Sequence, residues 1–256
     1  MNIDKCYNVD DMRKYAKKKL PKPVFDYIDG GSDDEFTYKN NTHSFNKYDL
    51  IPNVLKDVSN TDTSIKILGS DISVPFFCSP TALQKLFHHG GELEVAKAAE
   101  KENTIFGVSS LSTVSLEEIA KRVNSPKLFQ LYYHKDKSLN NEMLMRAKAA
   151  KFDALAITVD TAVGGNRERD LRSGFAIPPK LTSQSFFSYL YHPGWTLNYI
   201  LRKFELPNIS SHLNNKQSFN LSVSKYFTEM IDQSMTWKDI EKLAVKWGGP
   251  FCLKGI

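Results

Sequence analysis

The sequence predicts an α/β fold built on parallel strands, either a barrel or a doubly wound sheet, and of the three observations that follow the last favours the barrel. Short apolar runs begin at residues 74, 104, 127 and 153, and a fifth begins at 250, with helical stretches between them. The first four starts are 30, 23 and 26 residues apart, as is typical of βαβ units. The runs are apolar almost throughout, which indicates strands that are covered on both faces. No G-x-G-x-x-G follows the first run, and this counts against a dinucleotide-binding sheet.

The chain before the first run predicts short helices and turns rather than strands. Residues 9–20 form a helical stretch in which Asp10 or Asp11 is placed to be the N-cap. Pro21 should end this helix, because proline cannot continue one.

A second helical turn is predicted over residues 23–31, where Gly30 and Gly31 should end it. We therefore expect two regions, an N-terminal helical segment over 1–72 and a partial barrel over 73–256.

Amphipathic helices should follow the strands of the barrel. One helix begins after Ser115, which has the S-x-x-E spacing of a capping box with Glu118. The predicted strands are residues 74–80, 104–110, 127–133, 153–160 and 250–256, and other predicted helices are 92–102, 139–151 and 236–247.

An interruption over about 162–235 separates the fourth predicted strand from the next helix. It is too long for an ordinary βα connection. It contains the aromatic-rich stretch SFFSYLYHPGWTLNYILRKF, residues 185–204. One interpretation is an extra helix packed on the barrel, and the other is a mobile lid or a loop that faces a membrane or a partner.

Composition excludes several classes of protein. The formal net charge is +5, and the basic residues are interleaved with acidic ones, so no nucleic-acid partner is predicted. The basic run at 14–22 is read as a solvated helix face, or else as a surface for anionic lipid. No run reaches the ~18 apolar residues of a membrane span. We expect a cytoplasmic protein, with peripheral membrane contact through the 162–235 insertion as an alternative.

Polar side chains gather where the predicted strands end, which is where barrel enzymes carry their sites. Gln130 and Tyr132 are two residues apart, as are Thr158 and Asp160, so each pair points to one side of its strand. We expect that side to be the barrel interior, where such groups would suit a polar cofactor with many ring heteroatoms. Alternatively, they cap the following helices and turns. The other polar residues at the strand ends are Ser79, Thr81, Gln84, Ser109, Ser110 and Lys254.

A buried Asp160 would need a partner, because an unpaired anion is costly to bury. A histidine or Arg167 would serve, although the charged motif around Arg167 is equally typical of a surface turn. His88 and His89 are adjacent and lack both ligand spacing and an acidic third ligand, so no metal site is predicted.

Five long segments carry a recognisable pattern: SPTALQKLFHHGGE (79–92), VSSLSTVSLEEIA (108–120), KLFQLYYHKD (127–136), FDALAITVDT (152–161) and GNRERDLRSGFAIPP (165–179). They resemble the FMN-dependent 2-hydroxy-acid dehydrogenases and oxidases, which include glycolate oxidase, L-lactate dehydrogenase and the flavin domain of flavocytochrome b2. The resemblance runs from about residue 8 to the end, and YHPGWTLNYI with SMTWKDIEKLAVKWGGPFCLKGI is most similar to the L-lactate dehydrogenase branch. It implies a (β/α)₈ TIM barrel, incomplete here at about five of eight βα units.

The resemblance implies FMN as the cofactor. The flavin ring would lie against the backbone near Ala82. Hydrogen bonds to its heteroatoms would come from Ser109, Gln130 and Thr158. Lys254 would lie by the N1/C2 carbonyl edge, where its charge stabilises the reduced flavin.

The same resemblance implies the substrate residues. Tyr27 would bind the substrate carboxylate, and Tyr132 would bind its hydroxyl or carboxylate. Asp160 would orient and stabilise a protonated histidine base. Arg167 would lie near that acid and complete the catalytic and substrate-binding set.

In the family, the catalytic histidine and an arginine lie in an SNHGGRQ-like segment after strand 6, and the FMN phosphate site follows strands 7 and 8. The sequence ends at Ile256, after the fifth strand, so we expect it to lack these segments.

The expected activity is oxidation of an L-2-hydroxy acid, first of all L-lactate to pyruvate, with oxygen, a quinone or a cytochrome as electron acceptor. One alternative is an inactive remnant, and another is a half-barrel completed by a companion C-terminal chain or a homo-oligomer. The residues alone also allow a barrel lyase with Lys254 as a Schiff-base nucleophile.

Overall fold

A computed structural model describes residues 3–176, 179, 182–183, 185–202, 204–210 and 229–256. Two strands form an antiparallel pair, and five form a parallel sheet in the order β3-β4-β5-β6-β7. The strands are β1 Ile65–Ile67, β2 Ser70–Ile72, β3 Cys78–Thr81, β4 Phe106–Ser109, β5 Lys127–Tyr132, β6 Ala154–Thr158 and β7 Phe251–Lys254.

Helices precede the parallel sheet and alternate with its strands. They are α1 Val9–Lys19, α2 Lys22–Asp29, α3 Phe36–His43, α4 Gln84–Phe87, α5 Glu92–Lys101, α6 Leu116–Arg122, α7 Lys137–Ala149, α8 Glu168–Ser173, α9 Phe186–Leu190, α10 Pro193–Leu201 and α11 Trp237–Trp247. Short 3₁₀ turns lie at Ile3–Lys5 and Ser44–Lys47.

The five predicted apolar runs are the five parallel strands β3–β7. Their spatial order follows their order along the chain, as it does for consecutive strands of a (β/α)₈ barrel. The predicted α/β class and its five βα units are therefore confirmed. Within the described residues the sheet is open, with β3 and β7 at its edges.

The two faces of the parallel sheet have different partners. Phe129 and Leu155 lie on the outer face and belong to the larger core, which includes side chains of α5, α6, α7 and α11. Leu128 and Ala154 lie on the inner face and pack with Ile72 of β2. This alternation follows from the two-residue period of a strand. It places the even-numbered residues of β5 and β6 on the inner face, as predicted.

The expectation that the first 70 residues contain no strand was wrong. β1 and β2 pair as a hairpin whose turn residues, Leu68 and Gly69, both have positive φ angles of 49° and 79°. Ile72 is only 1% exposed because it packs against the inner face of the sheet. The strand pair is so short that this long-range packing, rather than its own pattern, has to stabilise it.

The N-cap predicted for α1 was also wrong. Asn8, rather than Asp10 or Asp11, accepts the Asp11 N–H at 2.8 Å. The helix therefore begins at Val9, and both aspartates lie in its first turn, where negative charge is favourable. The predicted end before Pro21 is confirmed.

Two further predicted helix ends can be compared with the structure. Gly30 ends α2 as predicted, although in an extended conformation with φ of −89° rather than the left-handed one. Ser115 accepts the Glu118 N–H at 3.1 Å, as the S-x-x-E spacing predicted.

The chain divides into two compact units. The first is Met1–Thr61 with Gly165–Leu201, and the second, which holds both sheets, is Asp62–Gly164 with Arg202–Ile256. A boundary between 1–72 and 73–256 would separate the hairpin from the sheet against which Ile72 packs. The predicted division into residues 1–72 and 73–256 stays a prediction.

The described part of the long insertion over about 162–235 contains the helices α8, α9 and α10, joined by turns and irregular segments. Residues 204–210 belong to the second unit, where Asn208 donates to Ser112 Oγ at 2.8 Å and accepts the Leu116 N–H at 3.2 Å. Residues 211–228 lie outside the described part.

Gly107 permits the close approach of β3 and β4. A Cβ atom at this position would lie 2.7 Å from both Cδ and N of Pro80, where a register shift interrupts the pairing between Cys78 and Thr81. The contact is with backbone and a rigid ring, so it cannot relax by rotation of a side chain.

We predict that Gly107→Ala lowers the free energy of unfolding by about 1–3 kcal/mol, because an added methyl group overpacks this strand contact. Urea unfolding followed by circular dichroism measures the change. Gly194→Ala is the matched control, because nothing lies within 4 Å of a Cβ there. Equal stability of the two variants would contradict the assigned role of Gly107.

Candidate active site

Three buried polar side chains form a hydrogen-bonded row across the inner face of the sheet. Ser109 Oγ donates to Gln130 Oε1 at 2.9 Å, and Gln130 Nε2 donates to Thr158 Oγ1 at 2.7 Å. Each residue is 1% exposed. The row therefore fixes the amide of Gln130, with its oxygen toward β4 and its nitrogen toward β6.

Strand register brings the row together. Ser109 is paired with Gln130, and Thr158 is paired with both Tyr132 and Lys254. Side chains at the carboxyl ends of consecutive parallel strands meet at one end of the sheet. Five of the predicted site residues, all on β4–β7, thus lie at neighbouring positions, as the sequence predicted.

The donors that remain in the row fit a ring with several acceptor atoms. Within the described residues, the second Nε2 hydrogen of Gln130 and the hydroxyl hydrogen of Thr158 have no acceptor. Buried donors normally find one. A flavin ring carries carbonyl oxygens and ring nitrogens that could accept them, so the residues present fit FMN.

Ser109 has a further local role, because its Oγ also accepts the Leu111 N–H at 3.1 Å. The alternative that polar groups at the strand ends serve turns is therefore correct in part for this residue. The hydroxyl orders the turn after β4 and contacts the amide of Gln130 at the same time.

The charged candidates lie at the exposed rim of this end. Lys254 ends β7 and is exposed, and Asp160 is exposed two residues after β6. Because Asp160 lies beyond the strand and is exposed, the cost of burying an unpaired anion does not arise among the described residues. Its role beside a histidine base stays a prediction. Gly255, with φ of 99°, leaves room for the side chain of Asp160, since a Cβ atom at position 255 would lie 2.3 Å from Asp160 Cγ.

The other two candidates in this unit lie beside the row. Tyr132 ends β5, is half-buried, and donates its N–H to Ser110 Oγ at 3.4 Å. Ala82 is in the turn between β3 and α4. Their contacts with a flavin or a substrate stay predictions.

Tyr27 and Arg167 meet in the first unit. The Arg167 guanidinium lies 4.9 Å from the centre of the Tyr27 ring and donates to the Tyr27 carbonyl oxygen. Phe175 stacks on the same ring at 4.3 Å between centres. Burial raises the pKa of the Tyr27 phenol to about 12, so its hydroxyl is a proton donor at neutral pH.

Arg167 also binds Asp170, with Nε 2.7 Å from Oδ2. Burial raises the pKa of the Asp170 carboxyl, and Arg167 opposes this shift. Neither Asp170 nor Phe175 was identified from the sequence. The three-residue spacing of Arg167 and Asp170 was a usable signal, whereas nothing local relates Phe175 to Tyr27. A role of Arg167 beside Asp160 stays a prediction.

A charge network stabilises the first unit around Tyr27. Asp29 at the end of α2 binds Arg13 of α1 with Oδ2 3.0 Å from Nη2, and Arg169 of α8 with Oδ2 2.9 Å from Nη1. Arg169 also binds Glu35. Arg13 above all, and then Arg169, hold the pKa of the Asp29 carboxyl below its usual range against the opposing effect of burial.

The profile of the family described as FMN-dependent dehydrogenase matches residues 16–256. The chain belongs to this family. Its members depend on FMN, in agreement with the polar row at the strand ends. The family assignment predicted from the five segments is confirmed.

Curated relatives include glycolate oxidase 3 of Arabidopsis thaliana, 37% identical over 249 residues, which cover 97% of this chain and 62% of the relative. The L-lactate dehydrogenase of Vibrio parahaemolyticus is 36% identical over 248 residues, which cover 96% of this chain and 65% of the relative. The chain thus spans less than two thirds of the length of these relatives.

Solved structures of similar fold include the monotopic membrane protein (S)-mandelate dehydrogenase, with a TM-score of 0.89 and 31% identity over 98% of this chain and 67% of that one. Mandelate oxidase follows with a TM-score of 0.77 and 30% identity over 98% of this chain and 63% of that one. These matches support the predicted partial TIM barrel.

We predict that Asp29→Asn lowers stability at neutral pH and that the difference from wild type shrinks on acidification. The pKa of Asp29 is lower in the folded state than in the unfolded state. Its ion pairs therefore add to the free energy of unfolding above the ordinary carboxyl pKa of about 4, and this addition is lost as the pH falls through the lower folded pKa. Urea unfolding between about pH 7 and about pH 3 measures the gap. A gap that widened toward low pH would contradict the assignment, and the exposed Asp34→Asn is the control.

Proposed function

We propose that the protein takes part in the FMN-dependent oxidation of an L-2-hydroxy acid to the 2-oxo acid. The observation that carries the proposal is the buried row of Ser109, Gln130 and Thr158 on the inner face of a parallel sheet, where two donors have no acceptor among the described residues. Membership of the FMN-dependent dehydrogenase family supports it.

Bound FMN would supply the oxidant: when the C–H and O–H bonds at the hydroxyl-bearing carbon break, it would take up two electrons and one proton, and a base would take the other proton. The row would bind the ring heteroatoms, next to the backbone near Ala82. Lys254, in register with Thr158, would place positive charge near the ring edge that gains negative charge on reduction.

The substrate residues would act through charge and hydrogen bonding. Tyr27, protonated at neutral pH, would donate to the substrate carboxylate, and Tyr132 would bind the hydroxyl or carboxylate. Arg167 would hold the Tyr27 ring in place through its contacts with the ring face and the backbone carbonyl. Asp160, as an exposed anion at the strand end, would orient a protonated base.

We propose L-lactate as the first substrate to test, giving pyruvate. An L-lactate dehydrogenase and glycolate oxidases are similarly related to the chain, so glycolate is the principal competitor. Oxygen, a quinone or a cytochrome would accept the electrons from reduced FMN. The unpaired edges at β3 and β7 would be completed by further strands, from the rest of a longer protein, from a companion chain or in a homo-oligomer.

FMN titration with anaerobic addition of L-lactate, glycolate and (S)-mandelate tests this proposal. We expect the absorbance of flavin to shift on uptake, and bound flavin to bleach with L-lactate only when the further strands that complete the sheet, and a base with them, are supplied. Gln130→Leu should weaken FMN binding by about 10- to 100-fold, because it leaves buried hydroxyl groups without their partner.

The control is Asn140→Leu, which removes a buried amide that hydrogen-bonds His134 instead of the row. Equal FMN affinity of the Gln130→Leu variant and wild type would contradict the role of the row. Bleaching by glycolate but not by L-lactate would contradict the choice of substrate alone.

Peripheral membrane contact is a second proposal, and it concerns location rather than chemistry. Several large apolar side chains of the insertion are exposed, including Phe187 on α9 and Ile200 on α10. Within the described residues, no helix has both the length and the apolar character needed to cross a bilayer. Insertion of such side chains into one lipid leaflet needs neither. The similar structure described as a monotopic membrane protein supports this proposal.

We predict that the protein sediments with phosphatidylcholine vesicles containing anionic lipid and that Ile200→Asp reduces the bound fraction several-fold. Burial of an exposed isoleucine in lipid is worth about 1.5–3 kcal/mol, and an aspartate forfeits it. Val245→Asp is the matched control, because Val245 is 83% exposed on α11, outside the insertion. Equal vesicle binding of the Ile200→Asp and Val245→Asp variants would contradict membrane contact through the insertion. The predicted cytoplasmic location would then be retained.

A further inference from the structure

Glu92, the first residue of α5, carries a carboxylate that is completely buried. Its Oε1 accepts the Thr113 N–H at 2.8 Å and the Gln84 N–H at 3.3 Å. Its Oε2 accepts the Thr113 hydroxyl at 2.6 Å. Within the described part of the chain, no basic side chain forms an ion pair with it.

A buried anion without a cation is costly unless hydrogen-bond donors replace the lost water. Here the donors come from two different places in the sheet. Gln84 follows the turn after β3, and Thr113 follows the turn after β4. The carboxylate of Glu92 is thus satisfied only when both turns are in place, and it couples their positions.

Other hydrogen bonds extend the same connection between the two turns. Thr113 Oγ1 accepts the Lys85 N–H at 3.1 Å, and the Leu83 N–H donates to the Leu111 carbonyl at 3.2 Å. Leu83 has a left-handed backbone with φ of 62°, which is unfavourable for a branched side chain and has to be maintained by its surroundings.

Both turns lie at the candidate site. The first contains Ala82, directly before the left-handed Leu83, and the second begins after Ser109 at the start of the polar row. A shift of one turn relative to the other would move the Ala82 peptide away from the row.

We propose that Glu92 is a positioning residue for the cofactor. Its buried carboxylate clamps the turn after β3 to the turn after β4, and so holds the backbone at Ala82 at a set distance from Ser109. The inference rests on the proposed function, because it assigns to this clamp the geometry of flavin binding. Glu92 itself does not contact the cofactor.

The variants are chosen to separate geometry from charge. Glu92→Ala removes every acceptor, whereas Glu92→Gln keeps an oxygen for the two backbone N–H groups. Thr113→Val removes the hydroxyl that joins Glu92 to Lys85, and Thr113→Ser restores it. Asp153→Ala is the matched control, because that carboxylate accepts the Lys127 N–H at 2.7 Å where β5 begins, at the other end of the sheet.

Two measurements are made on the purified protein: amide hydrogen exchange without FMN, and FMN affinity with the absorption spectrum of the bound flavin. We expect Glu92→Ala and Thr113→Val to lose protection at the Gln84 and Thr113 amides. FMN affinity should fall by about 10- to 100-fold, with an altered flavin spectrum. Glu92→Gln and Thr113→Ser should stay close to wild type.

The proposal is overturned if Asp153→Ala weakens FMN binding as much as Glu92→Ala at equal loss of stability, or if Glu92→Ala binds FMN with unchanged affinity and spectrum. If Glu92→Ala does not fold, the Thr113→Val and Thr113→Ser pair decides by the same criteria. A wild type that takes up no FMN would contradict the proposed function. Amide hydrogen exchange alone would then test the clamp. Selective loss of protection at the Gln84 and Thr113 amides in Glu92→Ala would support the clamp, and unchanged protection there would overturn it.

Discussion

The parallel pairing of β4, β5, β6 and β7 is the constraint on which the rest of the second unit depends. Consecutive side chains of a strand point to opposite faces, so a single register assigns every side chain in these strands at once. Phe129 and Leu155 are directed to the helices, and Leu128 and Ala154 to the hairpin. The same register aligns Ser109 with Gln130 and Thr158 with Lys254. A shift of one residue in any strand would exchange its apolar and polar sets.

Burial of polar groups imposes a second constraint, and the fold meets it with hydrogen bonds among neighbours. The hydroxyls of Ser109 and Thr158 share the amide of Gln130, and the carboxylate of Glu92 uses the donors of two turns. These solutions require several strands or turns to be in place together. They therefore couple the positions of neighbouring strands and turns at the carboxyl end of the sheet, because each hydrogen bond is made only when its partners are in place.

The first unit uses charge where the second uses apolar packing. Asp29 binds both Arg13 and Arg169, and through them α2 is connected to α1 and α8. Tyr27 is held between Phe175 on one side and Arg167 above its ring, although about 140 residues or more separate it from both. Two of the candidate substrate residues, Tyr27 and Arg167, thus depend on contacts between the N-terminal helices and the insertion that follows β6.

The sequence by itself determined the five parallel strands, several of the helix ends and the family. Apolar runs, capping residues and long motifs are local signals, which can be recognised without knowledge of the fold. It also predicted the row at the carboxyl ends of β4, β5 and β6, because alternation along a strand decides which residues share a face.

Only the tertiary structure decided which distant groups meet. The hairpin of β1 and β2, the exposure of Asp160, the stacking of Tyr27 on Phe175 and the burial of Glu92 against Thr113 had no signal in the local pattern. Each arises from segments far apart in the chain. Local propensity does not record such contacts, because their free energy is realised only when the packed fold removes the groups from water.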